Sequence, residues 1–302
     1  MTSVSAPIVD HRKGVLIAAL GVLVLSFDAL LVRLVGASPY DVGFWRGALV
    51  FVSMTSFIIV TGRAQQFRIY AAHGLAAVIV TILYGINTGL FVFSVNHTSV
   101  ANTVVVLASS SFFAALFSWV LLRETIPLRT WIAIIVAMSG VLIVFAGSVG
   151  LDQWRGDALA LLLAMLMGLM LTLLRRLPNL PKMPVVALSG LVTSLLCVAF
   201  SDPLTLAASS YGWLAVMGLL QMPVASVLIM TATRYLPAPE VSLFLLIETL
   251  LGPVWVWLVL SEAIPPLTFV GGIAIMGAIF VHSWLSLRRP ETDLVTPTDP
   301  PL

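Results

Sequence analysis

The chain has 302 residues, of which 60% are hydrophobic and only 9% charged, too few charges to cover a water-soluble surface. A formal net charge of +2 gives no electrostatic footprint for nucleic acid. The single cysteine, Cys197, lies in an apolar run, which excludes an internal disulfide and a thiolate metal cage. The bilayer is therefore the expected solvent. Since one crossing takes roughly 20 apolar residues, ten would use about two thirds of the chain and leave little for soluble domains.

At the N-terminal end His11, Arg12 and Lys13 precede an apolar run that reaches Leu31. The run is too long for a signal-peptide core and no small-x-small cleavage site follows, so it is expected to be a retained first span. Hydropathy, broken at charges, Gly and Pro, predicts spans near 14–35, 42–60, 72–95, 99–121 and 130–146, then 156–175, 184–201, 211–232, 238–260 and 267–287. Residues 1–13 form a cytoplasmic N-terminal segment in this reading, and 288–302, polar and proline-rich, a disordered cytoplasmic tail.

An ionisable group in hydrocarbon is costly unless it faces a cavity or a partner, so each one inside a span is a candidate for function. Asp28 in the first span either pairs with Arg33 or Arg46 or carries protons or substrate. On the third span Tyr84, Asn87 and Phe91 share a stripe, offering hydrogen bonds beside an aromatic face. Such a stripe can hold an aromatic solute or glue helices together. Asn96, His97 and Asn102 flank the short connection to the fourth span and are assigned to the membrane interface. Ser109, Ser110 and Ser111 follow, with Ser110 kept as a binding candidate against plain close packing. Gln221, one turn from Met217 on the eighth span, poses the choice between solute contact and helix contact again.

On the ninth span Glu248 sits mid-membrane, and Trp255, seven residues on, shares its face. Together they would present a carboxylate and an aromatic surface to an amino acid; alternatively Glu248 is protonated and bonded to a neighbouring helix. Glu248 and Asp28 are also the candidates for proton coupling. The methionines and tryptophans are mostly gap-filling and belt residues.

Basic residues orient the chain. With the N-terminus inside, Arg12, Lys13, Arg63, Arg68, Arg123, Arg129, Arg175, Arg176, Lys182, Arg234, Arg288 and Arg289 fall in or beside cytoplasmic segments, whereas Arg33, Arg46 and Arg155 fall on the other side. Both termini are thus placed in the cytoplasm and the span count is even.

An internal repeat subdivides the spans. A shift of 138 lays Leu107, Trp119, Leu122, Glu124, Ile126, Pro127, Thr130 and Met138 on Leu245, Trp257, Leu260, Glu262, Ile264, Pro265, Thr268 and Met276, and sets the serine run on Glu248. A shift of 142 lays Gly14, Ala18, Leu20, Leu31 and Arg33 on Gly156, Ala160, Leu162, Leu173 and Arg175. The unit is five spans long, so its second copy enters the membrane upside down. The predicted fold is an all-α polytopic membrane protein, ten transmembrane helices in two inverted five-helix repeats over 14–146 and 156–287.

The stretches from Ser109 to Glu124 and from Arg234 to Glu262 resemble the two EamA units of the drug/metabolite transporter superfamily, and the resemblance covers the whole membrane region. Within it the chain looks most like YddG-type bacterial exporters of aromatic and other neutral amino acids, which implies a central cavity between the halves. Where that pattern has proline directly after the intramembrane glutamate, Thr249 follows Glu248 here and proline comes at Pro253, so a helix break is expected about one turn further along.

No His cluster, HExxH, paired-Asp motif or Walker motif is present, which argues against an enzyme, a metal site, a cofactor and ATP hydrolysis. A channel would want rings of charge or carbonyls. The expectation is an inner-membrane alternating-access carrier that exports neutral, chiefly aromatic, amino acids and related metabolites. The alternatives are a multidrug or nucleoside transporter of the same superfamily, or a channel. The partners are the bilayer and a small solute; the sequence leaves the oligomeric state open.

Overall fold

The computed structural model describes residues 11–123, 128–148, 153–232, 235 and 238–287. The N-terminal ten residues, the tail 288–302, Arg234, and Glu124, Ile126 and Pro127 of the repeat match lie outside the described residues. Every regular element is helical: α1 (His11–Leu25), α2 (Asp28–Val35), α3 (Pro39–Val60), α4 (Gln65–Ala72), α5 (Gly74–His97), α6 (Val100–Ala108), α7 (Ser110–Leu122), α8 (Leu128–Ser148), α9 (Trp154–Arg175), α10 (Lys182–Val198), α11 (Ala208–Ala215), α12 (Met222–Ala232), α13 (Ala238–Leu260) and α14 (Pro266–Leu287). A π-helical segment, Val216–Gln221, joins α11 to α12.

These elements make ten apolar spans. Seven helices or broken helices are long and apolar enough to cross a bilayer, and three shorter apolar stretches, in α10, α13 and α14, complete the set. Their outward faces carry large apolar side chains such as Leu142, Leu195, Trp257 and Ile273, more than half exposed, as lipid contact requires. α4 is short, has no buried residue and stands between spans two and three.

Local chemistry sets several helix starts. Ser38 accepts from Asp41 N–H at 3.2 Å, with Pro39 beside it, so α3 begins on a side-chain cap with a residue whose missing N–H would have been orphaned anyway. Ser99 caps α6 in the same way through Asn102 N–H at 3.1 Å. Two spans are broken, the first at Ser26–Phe27 and the fourth at Ser109. The break expected near Pro253 does not occur: α13 runs unbroken through that proline. One proline removes a single backbone bond, which packing in a membrane bundle tolerates.

The two halves are related as inverted copies. Under the five-span repeat, span two corresponds to span seven and span five to span ten, and these self-equivalent pairs (α3 on α10, α8 on α14) form the most extensive packing in the molecule. The other contacts come in matched sets: α5 packs on α9 as α1 packs on α12. Glycines make the self-equivalent crossings possible. A Cβ on Gly47 would lie 2.4 Å from Gly190 O and one on Gly190 2.6 Å from Gly47 O; Gly140 and Gly271 face each other in the same way. Among the described residues the non-glycine residues at positive φ are Arg123 (54°) and Ser261 (55°), each ending a span, and they are 138 positions apart. A left-handed residue costs roughly 1–2 kcal/mol, so its recurrence at one repeat position marks the shared chain path.

Candidate functional site

The break in the first span sits at the centre of the candidate site. Ser26 and Phe27 leave the helix, and α2 restarts with Asp28 in its first turn, where the helix dipole favours a carboxylate. Trp255 of α13 fills the space beside the break. Its indole N–H donates to Ser26 Oγ at 2.9 Å, and its ring stacks on Phe27 with centroids 4.8 Å apart and planes at 15°. Gln221, closing the π segment, donates from Nε2 to Val24 O at 3.2 Å and Leu25 O at 3.3 Å, satisfying carbonyls that the break leaves without helical partners.

Asp28 meets Arg46 of α3. Arg46 Nη2 donates to Asp28 Oδ2 at 2.9 Å, and both side chains are buried. The same nitrogen lies 3.9 Å from Met222 Sδ, and the guanidinium stands over the Phe91 ring at 5.6 Å. Tyr84 and Glu248 complete the group: Tyr84 lies within the fields of Arg46, Asp28 and Glu248, and Glu248 within those of Asp28 and Arg46. Spans one, two, three and nine therefore contribute to a single electrostatic cluster. Arg46, Tyr84, Thr88, Ser189, Met222 and Ser226 line a cavity of about 20 Å³, room for one water.

Hydrogen bonding in this cluster is incomplete. Asp28 Oδ1, Arg46 Nε and Nη1, both side-chain atoms of Asn87 and Gln221 Oε1 are buried without a partner. Asn87 stands between Tyr84 and Phe91 on α5, both of which interact with Arg46. Ser110, by contrast, lies at the start of α7, makes no hydrogen bond among the described residues and does not line the cavity. Of the sequence candidates, Asp28, Tyr84, Glu248 and, through the break, Trp255 and Gln221 converge; Ser110 does not join them.

Two sequence readings are corrected. Arg46, placed at the outer end of the second span, is 2% exposed and inside the bundle. Its appearance as an exception to the charge bias was the available signal. Asn102, assigned to the membrane interface, is 1% exposed and part of a buried network that sequence reasoning missed. Asp157, at the start of α9, accepts from Thr98 Oγ1 at 2.6 Å and from Asn102 Nδ2 at 3.0 Å, while Thr268 of α14 donates to Asn102 Oδ1. Ser94 adds bonds to Thr103 at 2.8 Å and to Gly156 O at 2.9 Å. Nearby, Arg33 donates to Thr98 O and pairs with Glu262 at 3.2 Å, and Glu262 accepts from Val100 N–H.

A family model, the EamA-like transporter family, matches the chain twice, over residues 12–146 and 154–284. Twelve chains of solved structures match. One, a crystal structure of a protein, covers 93% of this chain and 98% of its own with a TM-score of 0.60 at 16% identity, a likeness of fold. No curated protein matches significantly.

Proposed function

Because the chain belongs to the EamA-like transporter family, and is thus a multi-pass membrane transporter of small molecules, we propose that it exports neutral amino acids, aromatic ones foremost, across the inner membrane. The observation that carries this reading is the cluster itself. An arginine and two carboxylates from three spans are coupled, and Phe27, next to Asp28 in the chain, stacks on Trp255 of the helix that carries Glu248, so charge and aromatic surface come together from both halves. A neutral amino acid presents the same two chemistries. Solute reaches the site from either side as the two inverted halves rock about the α3–α10 and α8–α14 crossings, with both termini in the cytoplasm.

Glu248 is the proton-coupling candidate. It lies beside the Asp28–Arg46 pair but makes no hydrogen bond among the described residues, so it is not tied to a structural partner. Asp28, by contrast, is held by Arg46.

Reconstitution tests the proposal. Labelled phenylalanine, tryptophan, threonine, methionine and a nucleoside are offered to proteoliposomes with and without an imposed pH gradient. Saturable movement of the amino acids, aromatic ones at lowest KM, is expected, and Glu248→Gln should abolish the response to the gradient while leaving exchange intact. Movement of the nucleoside alone overturns the amino-acid assignment; a wild-type rate indifferent to the gradient overturns the coupling role.

A further inference from the structure

We infer that Arg46 is the carboxylate anchor of the transport site and that the solute is a zwitterion, its carboxylate taken by the unpartnered donors of this guanidinium and its ammonium by Asp28. The inference deepens the amino-acid reading above and rests on it for the identity of the solute, though not for the chemistry of the anchor.

The geometry of the ion pair is the first support. A guanidinium dedicated to structure frequently presents its fork to a carboxylate in two parallel bonds. Here a single bond joins Nη2 to Asp28 Oδ2, and Nε, Nη1 and Asp28 Oδ1 are all buried without partners. Unsatisfied buried donors on a charged group are among the most costly features a fold can carry. Arg33 also has an unpartnered Nε, but the Arg46 pair combines two unpartnered donors with an unpartnered oxygen on its own carboxylate partner, the arrangement a ligand bearing both charges would complete. Nε and Nη1 each share one edge of the guanidinium with Nη2, so both edges keep an unpartnered donor beside the nitrogen that holds Asp28.

Surroundings give the second support. The Arg46 side chain lines the small cavity with Tyr84, Thr88, Ser189 and Ser226 in a wall that also includes Val50, Val186 and Met222, so polar groups and apolar surface both face the position a ligand would enter. One water fits there, and a solute needs more room. The cavity lies between α3 and α5 of the first half and α10 and α12 of the second, with Gly47 and Gly190 of the α3–α10 crossing in its wall, so movement of the halves changes its size. Loading of the anchor is thereby linked to the motion of the halves.

Charge balance gives the third. Arg46 and Asp28 neutralise each other, so while Glu248 carries a proton a solute with one net charge would leave an uncompensated charge in a low-dielectric space. A zwitterion adds one charge of each sign and gives each a counter-charge. A simple amine or a simple acid satisfies only half of the site.

Matched ligands on the wild-type protein provide the test, with no dependence on a mutant that fails to fold. Phenylalanine, 3-phenylpropionate and phenethylamine are compared as inhibitors of labelled phenylalanine transport and as stabilisers in a thermal-shift assay on the purified protein. Phenylalanine should bind best, 3-phenylpropionate measurably, and phenethylamine at least about tenfold more weakly than phenylalanine. Arg46→Lys, which keeps the charge facing Asp28 and loses the planar edge, should raise the half-saturating concentration of phenylalanine about tenfold with little change in melting temperature. Phenethylamine equal to phenylalanine, or an Arg46→Lys protein with wild-type affinity, overturns the anchor while amino-acid transport stands. If no amino acid moves, carboxylate-dependent stabilisation lost in Arg46→Lys keeps the anchor and discards the amino-acid reading; no carboxylate-dependent stabilisation discards both.

Discussion

Two buried polar groups in this bundle have similar ingredients and opposite bookkeeping. At the start of α9, Asp157 is fully buried, and its carboxylate receives Thr98 and Asn102, which receives Thr268 in turn; no side-chain polar atom of these four residues is orphaned. At the centre, Asp28 and Arg46 share one bond and leave three atoms without partners, with two more on Asn87. A closed network rigidifies the fold that contains it. An open one carries a standing penalty, and a folded protein keeps such a penalty where function requires it. Burial and charge alone would have ranked the two sites together. Hydrogen-bond completeness separates them.

The sharpest way to break this contrast is to remove a charge from each group. Asp157→Leu strands the Thr98 and Asn102 donors in the interior, and a loss of about 3–5 kcal/mol is expected. Melting in detergent should fall steeply, while any protein that survives keeps the wild-type ranking of solutes. Thr268→Val, which removes one bond of the same network, is the milder arm at about 1 kcal/mol. A surviving Asp157→Leu protein with altered solute ranking would show that this network belongs to the transport site.

Asp28→Asn should behave in the opposite sense. Asparagine keeps an oxygen for Arg46, and Glu248 lies within the field of the same arginine, so the guanidinium retains a nearby carboxylate. A stability loss of about 2 kcal/mol is expected, with transport of phenylalanine down at least tenfold, roughly 1.4 kcal/mol in binding if the loss is one of affinity. Stability and transport measured on one preparation decide it. Should Asp28→Asn unfold the protein while transport per folded molecule is unchanged, the pair is structural and the distinction drawn from orphaned atoms fails.

How much of this was legible in the sequence follows from the same physics. The spans were, to within a few residues, because twenty apolar residues in a row have few other uses. The repeat was as well: the shift of 138 that aligned Trp119 with Trp257 also relates the left-handed ends at Arg123 and Ser261. The breaks were not. Ser26–Phe27 and Ser109 carry no proline or glycine, and the first of these breaks is filled by Trp255, which is distant in sequence. Pro253, which advertised a break, sits inside a continuous helix. Arg46 was visible as a basic residue on the wrong side of the membrane, but hydropathy does not tell a loop from an interior, and the pairing with Asp28 over Arg33 depends on how α2 and α3 pack. Asp157 was hidden in plain view at a span start, where acidic residues are ordinarily solvated.

The smallest expected effect concerns the aromatic wall. Trp255→Phe preserves a ring to stack on Phe27 and removes the indole donor to Ser26 Oγ. Ser26 Oγ also donates to Leu23 O at 2.7 Å, so the hydroxyl keeps a partner and the loss of stability should be about 0.5–1 kcal/mol. A ring at this position also retains its contact with an aromatic solute, so KM for phenylalanine should change by only about two- to threefold. Trp255→Ala removes the surface altogether, and the affinity for phenylalanine should then fall more than that for threonine, because an aromatic pair contributes roughly 0.5–1.5 kcal/mol that a threonine side chain never gains. Equal losses for the two amino acids would mean that Trp255 only holds the break of the first span in place. Its ring would then belong with the closed, structural part of the molecule, and solute selection would rest on the charges alone.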